Sequence, residues 1–257
     1  MFSEERRRLI VERLKGQRGT GVEALAEGLG VSRETVRRDL LALEAEGVLR
    51  RVHGGAVLTT EMQPEPPLAR RMKQHRPEKE AIAQAVAAML RPGQTLFIDA
   101  GSTTALLALA LAPLSGLTIL TNSPDVALAL RSRQSEHEIM LLGGWLRQDI
   151  PGVHGESTMA EIMRFNADLA LIAPMALHPT EGATNYMVPE AEIARLMIQR
   201  SRKTVMMAVS SKLGQISRAQ ICACTEIDLL VTDFDGSCQE QDFLLAGVKE
   251  VIIAGHG

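Results

Sequence analysis

Residues 31–49 read VSRETVRRDLLALEAEGVL. Val36, Leu40 and Leu43 fall at i, i+4 and i+7, which places three apolar side chains on one side of a helix. Arg33 and Arg37 lie one turn apart on another side, with Arg38 beside them. The spacing predicts a helix with one oily and one cationic face. Ser32 precedes the stripe, where its hydroxyl can accept a hydrogen bond from a first-turn amide, and Gly47 follows it as a C-terminal stop.

Upstream, Val22, Leu25, Ala26 and Leu29 make a second amphipathic pattern that stops at Gly30, leaving a turn of about three or four residues before the cationic helix. Two helices joined so tightly form a helix-turn-helix, a motif whose second helix enters the major groove of DNA. The side chains then turned toward base edges are Ser32, Arg33, Thr35, Arg37 and Arg38. Downstream, VLRRVHGGAV reads as a short hairpin around His53, Gly54 and Gly55, with Arg50, Arg51 and His53 set to contact DNA. Taken alone, an arginine-bearing amphipathic helix is most often a solvated surface. Tight turn, cap, cationic face and basic glycine hairpin follow one another in the order that a winged helix needs. Leu9, Ile10 and Leu14 mark a first helix packed on the other two; Arg6, Arg7 and Arg8 on it read as a solvated face, with phosphate contact as the alternative.

The 257 residues, 46% of them hydrophobic, suffice for two domains with buried cores. Net charge is only -3, yet residues 1–76 hold 15 Lys and Arg against 11 Asp and Glu, and the remainder 13 against 20. The basic part is the part with the helix-turn-helix. Three cysteines, Cys222, Cys224 and Cys238, argue for a reducing cytoplasm rather than a disulfide framework, and the spacing of the first two is poor for zinc. No signal peptide or membrane-length apolar run occurs, so a cytoplasmic location is expected.

Residues 58–77, rich in proline and charge, read as a linker, with Arg70, Arg71, Lys73 and Arg76 keeping it wet and DNA contact as the alternative. Beyond it, TLFIDAG, LTILTN, EIMLLGG, LALIAP, TVMMAV, LLVTD and EVIIA are short apolar runs, most of them separated by helical stretches, as in a largely parallel sheet with helical crossovers. The expected fold class is α/β, with a winged helix-turn-helix domain at 1–57 joined to a Rossmann-like, largely parallel α/β domain at 78–257.

Open parallel sheets bind ligands beyond the carboxyl ends of their strands. There stand Asp99, Gly101, Ser102, Thr103 and Thr104, then Asn122 and Ser123, then Gly143, Gly144 and Arg147, and later Ser210, Ser211 and Lys212. Hydroxyls at a helix start, an arginine and a lysine suit a small, oxygen-rich anion, with a phosphorylated sugar as the natural candidate. Ser102 and Thr103 can equally serve as helix caps. The paired glycines would let a ligand approach the backbone. None of the common nucleotide, hydrolase or zinc-protease spacings is present, and no cofactor or metal is expected.

The run at 31–57, together with DAGSTT, TNS, GGWLR and SSKLG, resembles the DeoR family of bacterial transcription regulators over nearly the whole chain. The resemblance implies an N-terminal winged helix, a sensor domain similar to ribose-phosphate isomerases, and repression of a carbohydrate-catabolism operon relieved by a phosphorylated sugar. It also implies an effector pocket of Asp99, Gly101, Ser102, Thr103, Thr104, Asn122, Arg147 and Lys212. Operator DNA and a homodimer or homotetramer are the implied partners. Two departures stand out: APMALHP at residues 173–179 replaces a glycine-rich stretch, and Val209 stands where the family commonly has an aspartate before the paired serines. Asn185, Tyr186 and Glu190 could discriminate among ligands or serve structure alone. The rival readings are a sensor domain that keeps isomerase activity, with Asp99 as base, or one that only oligomerises.

Overall fold

The computed structural model describes residues 3–14, 20–45, 48–52, 55–58, 65–132, 136–148, 150–233 and 240–255. The chain divides into two compact units, Met1–Gln63 and Pro64–Gly257.

In the first unit the elements run α1 (Ser3–Leu14), β1 (Thr20–Gly21), α2 (Val22–Leu29), α3 (Arg33–Ala45), β2 (Leu49–Val52) and β3 (Gly55–Leu58). Ile10 and Leu14 of α1, Leu25 of α2 and Val36, Leu40 and Leu43 of α3 close one apolar core. Gly30 ends α2 in the left-handed region at φ 65°, and the Val31 amide donates back to the Ala26 carbonyl at 3.1 Å, which turns the chain sharply into α3. β2 and β3 pair antiparallel, with Arg51 opposite Ala56 and Val52 opposite Gly55. A third strand joins them: β1 pairs with β3, giving the order β1-β3-β2. Two residues long, β1 shows no periodicity in sequence.

Arg6 is not a solvated cation. Its Nε donates to Asp39 at 2.5 Å, and Asp39, on α3, is 3% exposed. Arg7 lies 3.5 Å from the same carboxylate. Burial of a carboxylate without partners is costly, so both arginines are committed to joining α1 to α3.

The second unit begins with α4 (Leu68–Arg71), α5 (Arg76–Met89), β4 (Thr95–Ile98), α6 (Ser102–Leu111), β5 (Ser115–Thr121), α7 (Pro124–Ser132), β6 (Glu136–Leu141), α8 (Glu156–Ile162) and β7 (Ala167–Ile172). It continues through β8 (Ala176–His178), β9 (Gly182–Asn185), α9 (Val188–Gln199), β10 (Ser201–Met207), β11 (Ala219–Cys222), β12 (Leu229–Asp233), α10 (Glu240–Leu245) and β13 (Glu250–Ala254). Seven strands form one sheet in the order β13-β12-β10-β7-β4-β5-β6. Every pairing in it is parallel. Side chains alternate along β4: Leu96 and Ile98 pack with α5, α6 and α7 on one face, and Phe97 packs with α8, α9 and α10 on the other. The seven strands coincide with the seven apolar runs.

A small antiparallel sheet, β11-β9-β8, is an addition that the sequence reading lacks, and His178 closes its strand β8. Residues 65–77, expected as linker, belong to the second unit and include α4 and the first residues of α5. Arg71 is paired with Glu65 at 2.6 Å and only 11% exposed, so it is not there to wet the segment. Among the described residues no helix is long and apolar enough to cross a membrane.

Candidate functional site

On the first unit the buried and exposed faces of α3 separate cleanly. Val36, Leu40 and Leu43 are buried, while Ser32, Arg33, Arg37 and Arg38 are exposed and Thr35 is partly so. The Ser32 hydroxyl accepts the Thr35 amide at 3.1 Å, and its carbonyl accepts the Val36 amide at 3.1 Å, which makes it the N-terminal cap. Arg33 reaches Glu23 of α2 at 3.2 Å and Arg37 reaches Glu34 at 3.7 Å. Both pairs are solvent-exposed and contribute little to stability, so exchanging them for phosphates costs little. The backbones of Arg50 and Arg51 lie in β2. His53, Gly47 and Cys238 lie outside the described residues.

The second unit's topology fixes where a ligand can enter. After β4 the chain lays down β5 and β6 on one side, then returns to place β7 against the other side of β4. The carboxyl ends of β4 and β7 flank the crevice where the winding reverses. Asp99 follows β4 and is 3% exposed; burial pushes its carboxyl up to about 7, although the Ala100 amide, at 2.8 Å, and Asn122 oppose this. Gly101, Ser102, Thr103 and Thr104 are buried at the start of α6. The Thr104 hydroxyl donates to the Gly101 carbonyl at 3.0 Å, and no side chain caps the helix. The Ser102 hydroxyl instead accepts from the ammonium of Lys79 at 3.0 Å.

Lys79 is the site residue that sequence reasoning passed over. It is 3% exposed and donates also to the carbonyls of Arg71, at 2.7 Å, and Gln74, at 2.9 Å. Burial, reinforced by Lys212 and Arg71, lowers its pKa to about 8. The available signal was its place on the buried stripe of α5, at i to Ile82, Ala83 and Val86 at i+3, i+4 and i+7. Lys212 sits on a short 3-10 turn after β10, mostly buried, donating to the Pro174 carbonyl at 2.6 Å beyond the end of β7, and burial lowers its pKa too. Glu190, at the start of α9, is pushed up to about 8 by burial and by Glu65 and Asp99.

Val209 is 2% exposed and faces the apolar core, so no carboxylate enters the pocket there. Asp233, at the end of β12, holds the same turn from the other side, accepting from the Ser210 amide and hydroxyl, both at 2.7 Å. That carboxylate positions the lysine turn. Asn185 accepts the Met175 amide at 2.7 Å, and Tyr186 stacks under Arg218 at 4.8 Å, both contacts that support structure.

The structure thus gathers Asp99, Ser102, Asn122 and Lys212 with Lys79 and Glu190. Arg147 is exposed on the segment after β6. The paired glycines pack against α8: a Cβ on Gly144 would lie 2.1 Å from the Thr158 hydroxyl, and Thr158 donates to the Gly143 carbonyl at 2.6 Å. Their freedom is used to bring this segment against α8. Ser123 caps α7 through the Val126 amide at 3.2 Å.

A family model described as a DeoR-like helix-turn-helix domain matches residues 6–62, and one described as a DeoR C terminal sensor domain matches residues 74–234. The chain belongs to the DeoR family. It is 36% identical over 91% of its length to the HTH-type transcriptional regulator GlpR of Haloferax volcanii, covering 91% of that protein. The glycerol-3-phosphate regulon repressor of Escherichia coli K12 is 33% identical over 91% of this chain and 92% of its own. The HTH-type transcriptional repressor GlcR of Bacillus subtilis is 33% identical over 91% and 89%. Among solved structures, ribose 5-phosphate isomerase A of Methanocaldococcus jannaschii aligns over 55% of each chain at 11% identity, with a TM-score of 0.39. This DeoR-family chain is a DNA-binding transcriptional regulator, as the three relatives just named are described.

Proposed function

We propose that this DeoR-family chain represses a carbohydrate-catabolism operon and releases its operator on binding a phosphorylated sugar or a related small phosphorylated metabolite. The observation that carries the reading is the pair of buried lysines, Lys79 and Lys212, at the switch point between β4 and β7. An ammonium group buried at such a crevice is stabilised by an anion that enters with it. Lys212, Ser102 and the amides of α6 bind the phosphate, with Gly101, Thr103 and Thr104 shaping the cradle. Asp99 and Asn122 bind hydroxyls. Arg147 reaches the ligand from the segment after β6. The names of the E. coli and B. subtilis relatives support repression, and the first supports a phosphorylated ligand.

On the DNA side, Ser32, Arg33, Thr35, Arg37 and Arg38 read base edges while Arg50, Arg51 and His53 hold phosphates. Two chains or more act together, since one winged helix binds nonspecific DNA only at about 10⁻⁴ to 10⁻⁶ M and linking two readers raises affinity. The DNA reader is the unit that ends at Gln63 and the sensor is the unit that begins at Pro64, the first residues of the second unit coupling the two.

The test pairs thermal melting of the full chain with anisotropy on fragments flanking its own gene, against a panel of phosphorylated sugars. One compound is expected to do both things: release the DNA, and stabilise the chain by about 2.7 kcal/mol at a hundred times its Kd. A panel in which nothing moves either readout leaves the second unit as an oligomerisation module and overturns the effector reading.

A further inference from the structure

Beside Lys212 and Lys79 stand two residues from outside the strand ends. Glu65 Oε2 lies 2.6 Å from Arg71 Nη1, and its other carboxylate oxygen lies 3.8 Å from Lys212 Nζ. Glu65 is 17% exposed and Arg71 11%, so this is no surface ion pair. Its field also reaches Lys79, Glu190 and Asp99. Two buried polar atoms of the cluster have no hydrogen-bond partner among the described residues: Arg71 Nε, a donor, and Asn122 Oδ1, an acceptor.

Three cations, Arg71, Lys79 and Lys212, thus stand around the Glu65 carboxylate, while burial raises the two other carboxyls of the cluster, Asp99 and Glu190. A phosphate monoester carries nearly two charges and three acceptor oxygens. Seated there, it would balance more of the cationic charge and give Arg71 Nε the acceptor it lacks, and a hydroxyl on the same ligand would donate to Asn122 Oδ1. It could not share the seat with a carboxylate, because like charges at that separation repel.

We infer that Glu65 is an internal substitute for the effector's anion: without effector its carboxylate holds Arg71 and Lys212, and a phosphorylated effector takes both cations and expels it. The inference rests on the effector reading above and adds Arg71 to the ligand-binding residues. It also gives that reading a route to DNA. Glu65 stands two positions after Gln63, the last residue of the DNA-binding unit, and is followed by Pro66 and Pro67. Prolines restrict their own φ and the preceding residue, so a displaced Glu65 carries its neighbours with it instead of being absorbed locally. A ligand that must first vacate the seat binds with an affinity reduced by the fraction of chains in which the seat is empty.

The experiment uses full-length wild type, Glu65→Gln, Arg71→Met and, as a control, Glu80→Gln, which removes a half-exposed carboxylate paired with Arg76. Calorimetry with inorganic phosphate gives Kd, and anisotropy on the flanking fragment gives operator affinity with no phosphate present. Glu65→Gln is expected to bind phosphate about tenfold tighter and operator about tenfold more weakly, because the coupling is reciprocal. Arg71→Met is expected to bind phosphate at least roughly tenfold more weakly, and Glu80→Gln to match wild type in both. If Glu65→Gln melts early, Glu65→Asp, which keeps the charge but withdraws it by one methylene, is expected to tighten phosphate binding by a smaller factor. Phosphate binding in the Glu65 variants no tighter than in wild type, or operator affinity unchanged in Glu65→Gln, overturns the inference. Wild type that binds neither phosphate nor any phosphorylated sugar overturns the effector reading beneath it.

Discussion

Arg37 and Arg38 on α3 hold their guanidinium groups in solvent, whereas Lys79 and Lys212 in the second unit lie among carbonyls, a hydroxyl and carboxylates. The difference matches the two anions that the proposed function assigns to the units. A DNA duplex brings many phosphates, and its association is driven by counterion release, so cations kept hydrated and loosely paired bind it at little cost. A small metabolite brings one phosphate and must be taken out of water, so its cations wait already desolvated, held by dipoles and an internal carboxylate. Exposed charge serves a partner that arrives with its own surface; buried charge serves one that is enclosed.

The contrast is tested first on α3 itself. Leu40→Ala, on its buried face, is expected to destabilise the first unit by about 2–5 kcal/mol, read as an early transition in denaturant. In the second unit, Lys212→Met is expected to weaken phosphate binding roughly ten- to a hundredfold while leaving the melting temperature unchanged or raised, since a buried charge is replaced by an apolar chain of similar length. A melting temperature that collapsed instead would mean that the lysine is there for the fold. Arg38→Ala should alter stability by no more than about 0.5 kcal/mol yet lower operator affinity about tenfold and relax its preference for operator over unrelated DNA. The smallest effect separates the units by pH. Between pH 7 and 9 Lys79 loses its proton near 8, while Asp99 and Glu190 gain charge near 7 and 8. Every one of these changes disfavours an anion, so phosphate binding is expected to weaken several-fold. Operator binding through arginines should stay level, because guanidinium groups keep their protons throughout.

The helix-turn-helix was legible because each of its parts is local: the stripe of α3, the cap at Ser32 and the stop at Gly30 are each read within a few residues. The seven-stranded sheet was legible because strands buried on both faces are continuous apolar runs. What escaped is what depends on distant partners. Arg6 looks solvated until Asp39, thirty-three positions on, is seen to be buried beside it. Strands β8, β9 and β11 are three or four residues long, too short to show alternation, and β9 pairs with a strand far along the chain. Glu65 and Arg71 stand in a proline-rich, charged stretch whose composition gives no sign that it pairs with Lys212, far along the chain. Of the cluster, Asp99, Ser102, Asn122 and Lys212 stood in readable strand-end motifs, but the lysine on α5 beside them was hidden in a helix whose stripe seemed merely apolar.

The return of the chain to β7 after β6 also sets an order of assembly on the ribosome. Domains fold as units from the N-terminus, at about 5–20 residues per second of synthesis. The DNA reader is complete by Gln63, while the crevice awaits β7 and its lysine turn awaits Lys212. A nascent or truncated chain therefore carries a reader before it has anything to answer the metabolite with, and nonsense alleles between those points would yield fragments that no inducer can address.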